Sequence, residues 1–344
     1  MGLGLAAEAP GGRGVRIERG EGVAVSVIIP VHRDTDRFRF GLTECLMAAG
    51  LVPGEAEVIV VSDRVLDALP EGVVGVVTNA VGDTAPGQKR DVGLASATGR
   101  LIAFIDDDAY PRRDWLVRGV RRLDDPRIAA VGGPGLTPLG SPWRERLGGA
   151  VYESRLGSGS LRKRFVQLGG LEEVREWPAF NLFVRQSALS AAGGWACDLY
   201  GGEDTKMCGE LTRRGYRIVY DSSVVVYHFR RPVFRGHMRQ VANVGYRRGS
   251  FIGGRWKDTR MAGYCLPSLG MGLLPVWLGL FGWLLATWWF AGVALVVAIW
   301  LALSVSVWVR AGAMSCLYPL ALVAHHCAYG WNFIRGLRAG RCRG

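Results

Sequence analysis

Leu101-Ile102-Ala103-Phe104-Ile105-Asp106-Asp107-Asp108 is the stretch on which the reading of this chain turns. Five apolar residues run straight into three acids. A short unbroken apolar run suits a strand buried on both faces. Carboxylates this close repel and push one another's pKa upward. A hard divalent cation with oxygen ligands removes that repulsion. Residues two apart in an extended chain point the same way, so Asp106 and Asp108 face one site. The pattern predicts a metal clamp at the carboxyl end of a strand, where open α/β sheets bind ligands. The plain alternative is a solvated acidic turn. Against it, the preceding strand has no polar residue, and Tyr110-Pro111 leads into a helix from Arg112, which predicts a strand-to-helix corner.

Outward from that strand, residues 23–135 alternate strand-like and helix-like segments. Val23–Pro30, Val58–Val61, Val73–Thr78 and Ile128–Val131 read as strands. Leu42–Ala49 and Gly87–Ala97 read as helices. Such alternation predicts an α/β fold with a largely parallel sheet covered on both faces. No Gly-x-Gly-x-x-Gly follows the first strand, which counts against a dinucleotide-binding dehydrogenase. No Gly-Lys-Ser loop is present either, which counts against a P-loop NTPase. Residues 141–176, rich in Arg, Gly and Ser, read as a loop or lid. Trp177–Val184 resumes an apolar pattern. Glu203 and Asp204 open a helix that Gly215 caps, where the helix dipole alone would favour acids. Tyr216–Tyr220 and Val224–Tyr227 read as closing strands, with His228 at the end.

At 344 residues, the chain has room for a large core and a second part. Its net charge of +12 suits phosphates, nucleic acid or an anionic membrane face. No zinc-finger spacing or repeated basic helix supports nucleic acid. Seven scattered cysteines with no Cys-x-x-Cys pair argue for reduced thiols facing the cytoplasm. Residues 1–22 lack the apolar core of a signal peptide and read as a disordered tail.

From Met261 to Val309 there is no Asp, Glu, Lys or Arg. A spanning helix needs about 20 apolar residues, so this stretch predicts two spans, near 265–285 and 289–309, turning at Thr287-Trp288-Trp289. A third uncharged stretch, 311–334, is a weaker span that could instead lie in the interface or re-enter. Arg247, Arg248, Arg255, Lys257 and Arg260 before the first span, and Arg310 after the second, belong on the cytoplasmic side. Arg335, Arg338, Arg341 and Arg343 do too, which favours two spans plus an embedded or surface helix. The division expected is a tail to 22, a catalytic domain 23–249, a juxtamembrane segment 250–264 and a membrane region 265–344 of two or three helices. The catalytic domain then faces the cytoplasm from a multi-pass protein of the cell membrane.

The order of these pieces resembles the family 2 glycosyltransferases of the GT-A fold, from about Val25 to Gly249. Val25–Pro30 resembles the opening strand, with Pro30 on the donor side. Glu57–Asp63 stands where the family binds the nucleotide base. Two adjacent acids are frequent there, and here one position is Ser62. Gly87–Gly93 resembles the Arg-Asn-x-Gly stretch, with Asp91 at the usual Asn. Asp106–Asp108 matches the DxD motif, Phe180–Arg185 the acceptor-side strand with Asn181, Gly202-Glu203-Asp204 the catalytic acidic motif, and Val225–His228 a strand-end histidine. Gln240–Gly249, the spans and His325–Gly330 resemble membrane-anchored members that build exopolysaccharides or lipid-linked glycans. The Gln-x-x-Arg-Trp motif of processive synthases is absent.

The resemblance implies transfer of a sugar, with inversion, from a nucleotide diphosphate sugar to an acceptor hydroxyl. It implies Asp63 at the base, Asp106 and Asp107 on the donor side, and Asp108 with Asp106 on Mg²⁺ or Mn²⁺. Lys89 or Arg90 would stand near the phosphates, and His228 on the metal or a phosphate. Asp204 would be the general base, with Glu203 beside it. Arg247 and Arg248 meet lipid headgroups or an acceptor phosphate. A catalytic domain tied to the membrane gains effective concentration only for a lipid-linked acceptor, so a polyprenyl-linked saccharide or polyprenyl phosphate is expected. The rival readings are a membrane nucleotidyltransferase and an inactive membrane adaptor of the same fold.

Overall fold

The computed structural model describes residues 24–50, 56–78, 84–195, 202–253, 265–287 and 289–341. The expected tail 1–22, Arg255, Lys257, Arg260, Trp288 and Arg343 lie outside these residues.

The first half is β1 (Val25–Pro30), α1 (Asp36–Ala49), β2 (Ala56–Ser62), β3 (Val73–Val77), α2 (Pro86–Ser96) and β4 (Leu101–Ile105). β1 pairs in parallel with β2 and β4, and β2 with β3. Chain order therefore reverses between β1 and β4, and the crevice above their carboxyl ends is where such sheets bind ligands. Alternate residues serve opposite faces. Val25, Val27 and Ile29 enter one core, and Ile28 enters the other. Every residue of β4 is 0–2% exposed, as an apolar run in a central strand requires.

Next come β5 (Ala109–Pro111), α3 (Trp115–Arg122), β6 (Ile128–Gly132), β7 (Gly135–Leu136), α4 (Trp143–Glu153), α5 (Arg155–Ser158), a 3-10 turn (Gly159–Arg164) and β8 (Leu171–Val174). β9 (Asn181–Arg185), α6 (Gln186–Ala191), α7 (Glu203–Arg213), β10 (Arg217–Asp221) and β11 (Val226–His228) complete this part. The large sheet has the order β3-β2-β1-β4-β9-β6-β10-β8, and β5-β11-β7 form a small second sheet. β9 runs antiparallel to both β4 and β6, and β8 antiparallel to β10. The rest of the large sheet is parallel, so it is mostly parallel, as expected.

Two expectations need correction here. The stretch 141–176 is not a loop: it holds α4, α5, the 3-10 turn and β8. Its apolar positions Leu147, Ala150 and Val151 pack against later helices that a local reading does not see. The acids of 106–108 also do not sit at a strand-to-helix corner. They turn the chain from β4 into β5, and α3 starts only at Trp115.

The C-terminal part is α8 (Gly236–Gly253), α9 (Leu266–Gly272), α10 (Leu274–Thr287), α11 (Trp289–Ser306), α12 (Trp308–Ala311), a 3-10 turn (Gly312–Leu317) and α13 (Tyr318–Arg341). α8 and α13 lie backbone to backbone. A Cβ at Gly245 would come 2.4 Å from the Tyr329 carbonyl oxygen, one at Gly249 2.0 Å from that of Phe333, and one at Gly336 1.9 Å from that of Tyr246. The paired numbers rise together, so the helices are parallel. His237 and His325 join the same pair through a 3.0 Å contact between Nε2 and Nδ1. The stretch 311–334 is thus mostly a helix held along α8, whose cavity side carries Arg239 and Arg247 while Arg248 lies over the Tyr329 ring of α13. Its helix α13 is not among the described helices long and apolar enough to cross a membrane.

The expected first span is split at Leu273 into α9 and the 14-residue α10, short of the length that crosses a bilayer. α10 ends at Thr287 and α11 starts at Trp289, where the turn was expected. Among the described residues one helix, α11, is long and apolar enough to cross a membrane. Its surroundings are unusually apolar: Trp277 is 60% exposed and Phe290 88%.

Candidate active site

The pairing of β11 with β5 assembles the site. His228 lies opposite Ala109, and the Phe229 amide donates to the Asp108 carbonyl at 2.9 Å. This register brings the histidine to the acids from 120 positions away in sequence, with His228 Nε2 and Asp108 Oδ1 2.8 Å apart. Asp106, Asp108 and His228 each offer a ligand atom, all within 4.8 Å of one another. Burial pushes the Asp108 carboxyl up, but His228, Arg231 and Arg230 outweigh it and hold the group below its ordinary value. Two carboxylate oxygens and an imidazole nitrogen form a donor set that fits a divalent cation.

Asp107 faces elsewhere. Its Oδ2 accepts from the His32 amide at 2.7 Å, which fixes the loop after Pro30, the buried last residue of β1. Burial first, then repulsion from Asp108, pushes it up to about 6. The triplet therefore divides as expected, with 106 and 108 together and 107 apart, but across a turn closed by the Ala109 amide on the Asp106 carbonyl at 3.1 Å.

Lys89 and Arg90 are buried, at 2% and 4% exposure, and neither is an open cation awaiting phosphate. Lys89 Nζ lies 2.7 Å from Asp63 and 2.7 Å from the Val31 carbonyl. Asp63 also accepts from Thr78 Oγ1 and the Thr84 amide. Burial opposes these partners but loses, and Asp63 is held down to about 2. Arg90 lies between the two acidic motifs, 2.8 Å from Asp106 and 3.4 Å from Glu203, with Trp195 against its guanidinium. This is a correction to the sequence expectation: α2 supplies fasteners among the acids, because its buried face points at the crevice.

Glu203 is buried, and its Oε2 has no partner. Asp204 is partly exposed, with Oδ1 buried and unpartnered. Burial first, then the Glu203 charge, then Asp106 push Asp204 up to about 7, against the pull of Arg90. A carboxylate poised there suits general-base work near neutral pH.

Asp108, His228 and Asp204 line one cavity of about 2440 Å³, which continues past Arg230, Arg231, Arg247 and Arg248 to Pro267 and Gly270 of α9. Asn181 is not on it. It is fully buried, accepting from Trp115 Nε1 and donating to the Pro134 and Val224 carbonyls. It joins α3 and the segments just before β7 and β11 to the sheet, so the acceptor role expected for it is corrected to a scaffold role.

Sequence reasoning passed over Glu176, Arg164 and Arg230. Glu176 takes Arg164 at 2.7 Å and the Thr205 hydroxyl at 2.9 Å, fastening the first turn of α7 to the segment beside it. Burial is outweighed by Arg164 and Arg248, and Glu176 is held down to about 2. Arg230 Nη1 meets His228 Nδ1 at 3.0 Å. The one local signal for Arg230 was its place two residues after His228.

Residues 101–334 match the family described as Glycosyl transferase family group 2, and the chain belongs to that family. It is 30% identical over 160 residues to the pre-mycofactocin glycosyltransferase of Mycobacterium tuberculosis, covering 46% of this chain and 33% of that protein. It is 27% identical over 222 residues to glycosyltransferase AglE of Haloferax volcanii, covering 60% of this chain and 67% of that protein. The chain thus spans about a third of the mycobacterial relative and two thirds of the archaeal one. The structure is similar to mannosyltransferase PcManGT of Pyrobaculum calidifontis, solved with GDP-Man and Mn²⁺: TM-score 0.55, 17% identity, 90% of this chain and 88% of that one. That likeness gives a GT-A-like fold.

Proposed function

We propose that the protein is an inverting, metal-dependent glycosyltransferase that moves a sugar from a nucleotide diphosphate sugar to a lipid-linked acceptor in cell-surface glycan synthesis. The observation that carries this reading is the cavity lined by Asp204 and by Asp108 and His228, two members of the cluster that Asp106 completes. The cluster has the ligands for a cation beside a diphosphate, and Asp204, close enough to feel the charge of Asp106, is a base for a hydroxyl. The archaeal and mycobacterial relatives, both named glycosyltransferases, support the class of reaction.

Asp106, Asp108 and His228 would hold Mg²⁺ or Mn²⁺, which when bound would stabilise charge on the departing diphosphate as a Lewis acid. Asp63 and the loop after Pro30 border the nucleoside end. The acceptor hydroxyl attacks the anomeric carbon from the face opposite the diphosphate. As the new C–O bond forms, the bond to the diphosphate oxygen breaks, and that oxygen keeps the electron pair. Asp204 takes the hydroxyl proton, a role worth about 10²–10⁴ in rate. Glu203, held by Arg90, keeps a second negative charge beside Asp204 and so maintains its basicity.

The acceptor is read as lipid-linked because the cavity ends at α9, which leads into the exposed apolar helices α10 and α11. Arg247 and Arg248 stand on that side, toward acceptor or lipid headgroups. We place the catalytic body on the cytoplasmic face of the cell membrane, with α10 and α11 as the membrane-embedded hairpin.

The test is a panel of nucleotide sugars incubated with purified protein, Mn²⁺ and bacterial lipid extract, following nucleoside diphosphate release. Release that disappears in Asp204→Asn, while donor binding persists, is the expected result. Pyrophosphate release instead would point to the nucleotidyltransferase. Unaltered cellular function of both Asp108→Asn and Asp204→Asn would point to the adaptor.

A further inference from the structure

Helix α8 has two unlike faces. Val241, Gly245 and Gly249 pack on α13, while Gln240, Asn243, Val244, Arg247 and Phe251 line the cavity, which Val241 and Arg248 also reach from the side that meets α13. The spacing of the second group is that of one helix face. Phe251 fixes where this face meets the catalytic helix. A Cβ on Gly202, the residue before α7, would come 2.4 Å from the Phe251 ring, so the turn bearing Asp204 starts against Phe251.

Arg247 stands four residues earlier, one turn and about 6 Å along the axis. Among the described residues no acid pairs with it. Its neighbour Arg248 acts electrostatically on Glu176. At the same level the cavity opens on α9: Pro267 and Gly270 line it, and Gly330 of α13 seats the Pro267 backbone, with a Cβ there 3.1 Å from the Pro267 carbonyl oxygen.

We infer that Arg247 binds the phosphate of a prenyl-phosphate-linked acceptor at the α9 mouth of the cavity, and that the nucleophile is a hydroxyl on a sugar between that phosphate and Asp204. This rests on the transferase reading above, and it chooses between the two acceptor classes that reading leaves open. One helical turn separates the arginine from the start of the catalytic helix, a gap on the scale of a sugar ring. A lipid tail along α9 and the apolar helices brings its phosphate to Arg247. The same phosphate moved up to Asp204 would meet Asp204, Glu203 and Asp106 together, three carboxylates with the shared Arg90 cation among them, an excess of negative charge that repels an anion. A phosphate is also already ionised near neutral pH and has no use for a general base, whereas a hydroxyl requires one.

The experiment uses the full chain in detergent, with Mn²⁺ and saturating nucleoside diphosphate filling the donor side, and three probes: farnesyl diphosphate, farnesol and inorganic pyrophosphate. Farnesyl diphosphate should bind roughly tenfold or more tightly than either of the others, as expected for a charged contact worth at least 1.4 kcal/mol. Arg247→Ala should remove most of that advantage, Arg247→Lys should keep part of it, and nucleoside diphosphate affinity, unchanged in both, shows that the variants are folded. Equal binding of farnesyl diphosphate and farnesol overturns the inference, as does an unaffected Arg247→Ala. Pyrophosphate binding as tightly as farnesyl diphosphate overturns the lipid as its source. Transfer of sugar directly to a prenyl monophosphate overturns the choice of nucleophile. Failure of the transferase reading looks different: no nucleotide sugar is consumed with any acceptor, whatever the farnesyl probes do.

Discussion

Replacing Arg90 by methionine removes a buried cation while keeping most of the length of the side chain. The guanidinium lies 2.8 Å from Asp106 and 3.4 Å from Glu203, and its charge restrains the upward push on Asp204. At an effective dielectric near 20, charge contacts of this length are worth about 5 kcal/mol each before desolvation is counted. Removing one partner of a buried pair costs about 3–5 kcal/mol, and a loss of that size is expected in urea unfolding of the detergent-solubilised protein. The second consequence is a titration. A general base must be ionised to act, so wild-type log(kcat/KM) should climb with unit slope below about 7 and flatten above it. Without Arg90 the protonated form of Asp204 is favoured further. If about 1.4–3 kcal/mol of Coulomb support is lost, the bend moves one to two units toward alkaline pH. Arg90→Lys should recover part of the shift. A bend that stays at the wild-type pH while stability falls would refute the electrostatic role and leave Arg90 a packing residue.

Further outcomes follow from the cation cluster and the helix pair. His228→Gln should raise the Mn²⁺ concentration giving half-maximal turnover by roughly 10–100-fold, measured by metal titration after chelation; an unchanged value would remove His228 from the metal shell. Gly336→Val puts a Cβ where contact with the Tyr246 carbonyl is 1.9 Å and should cost about 1–3 kcal/mol as α8 and α13 are forced apart. Gly209→Ala in α7, with nothing within 4 Å of the new methyl, should instead stabilise by about 0.4–1 kcal/mol. Melting midpoints moving in the same direction for both glycines would contradict the packing described.

Sequence by itself determined the elements whose signal is local. The apolar run 101–105 is a fully buried strand because five apolar residues in a row have no face to give to water. Asp106 and Asp108 share a site with Asp107 turned away, as alternation suggested, although the structure reaches that division through a turn closed on Asp106. Glu203 and Asp204 open α7, and the break between α10 and α11 falls where the tryptophans were read as a turn. The order of motifs also carried the family, which the match over residues 101–334 bears out.

Tertiary structure alone decided what depends on distant partners. Lys89 and Arg90 read as cations near the donor phosphates until α2 is laid over the crevice and turns them onto Asp63, Asp106 and Glu203. Asn181 reads as an acceptor contact until β9 is inserted between β4 and β6, where its carboxamide is enclosed by three other segments. The stretch 141–176 reads as a loop because α4 buries its apolar side against helices more than 150 residues later. The sequence 311–334 reads as a weak span because it is uncharged, and an uncharged helix suits lipid and a protein interface alike. Only the pairing of Gly245, Gly249 and Gly336 with facing backbone shows that α13 belongs to α8. Local periodicity fixes a strand, a helix or an alternation of side chains. Which buried partner a charge or a glycine meets is set by chain segments that no local pattern connects.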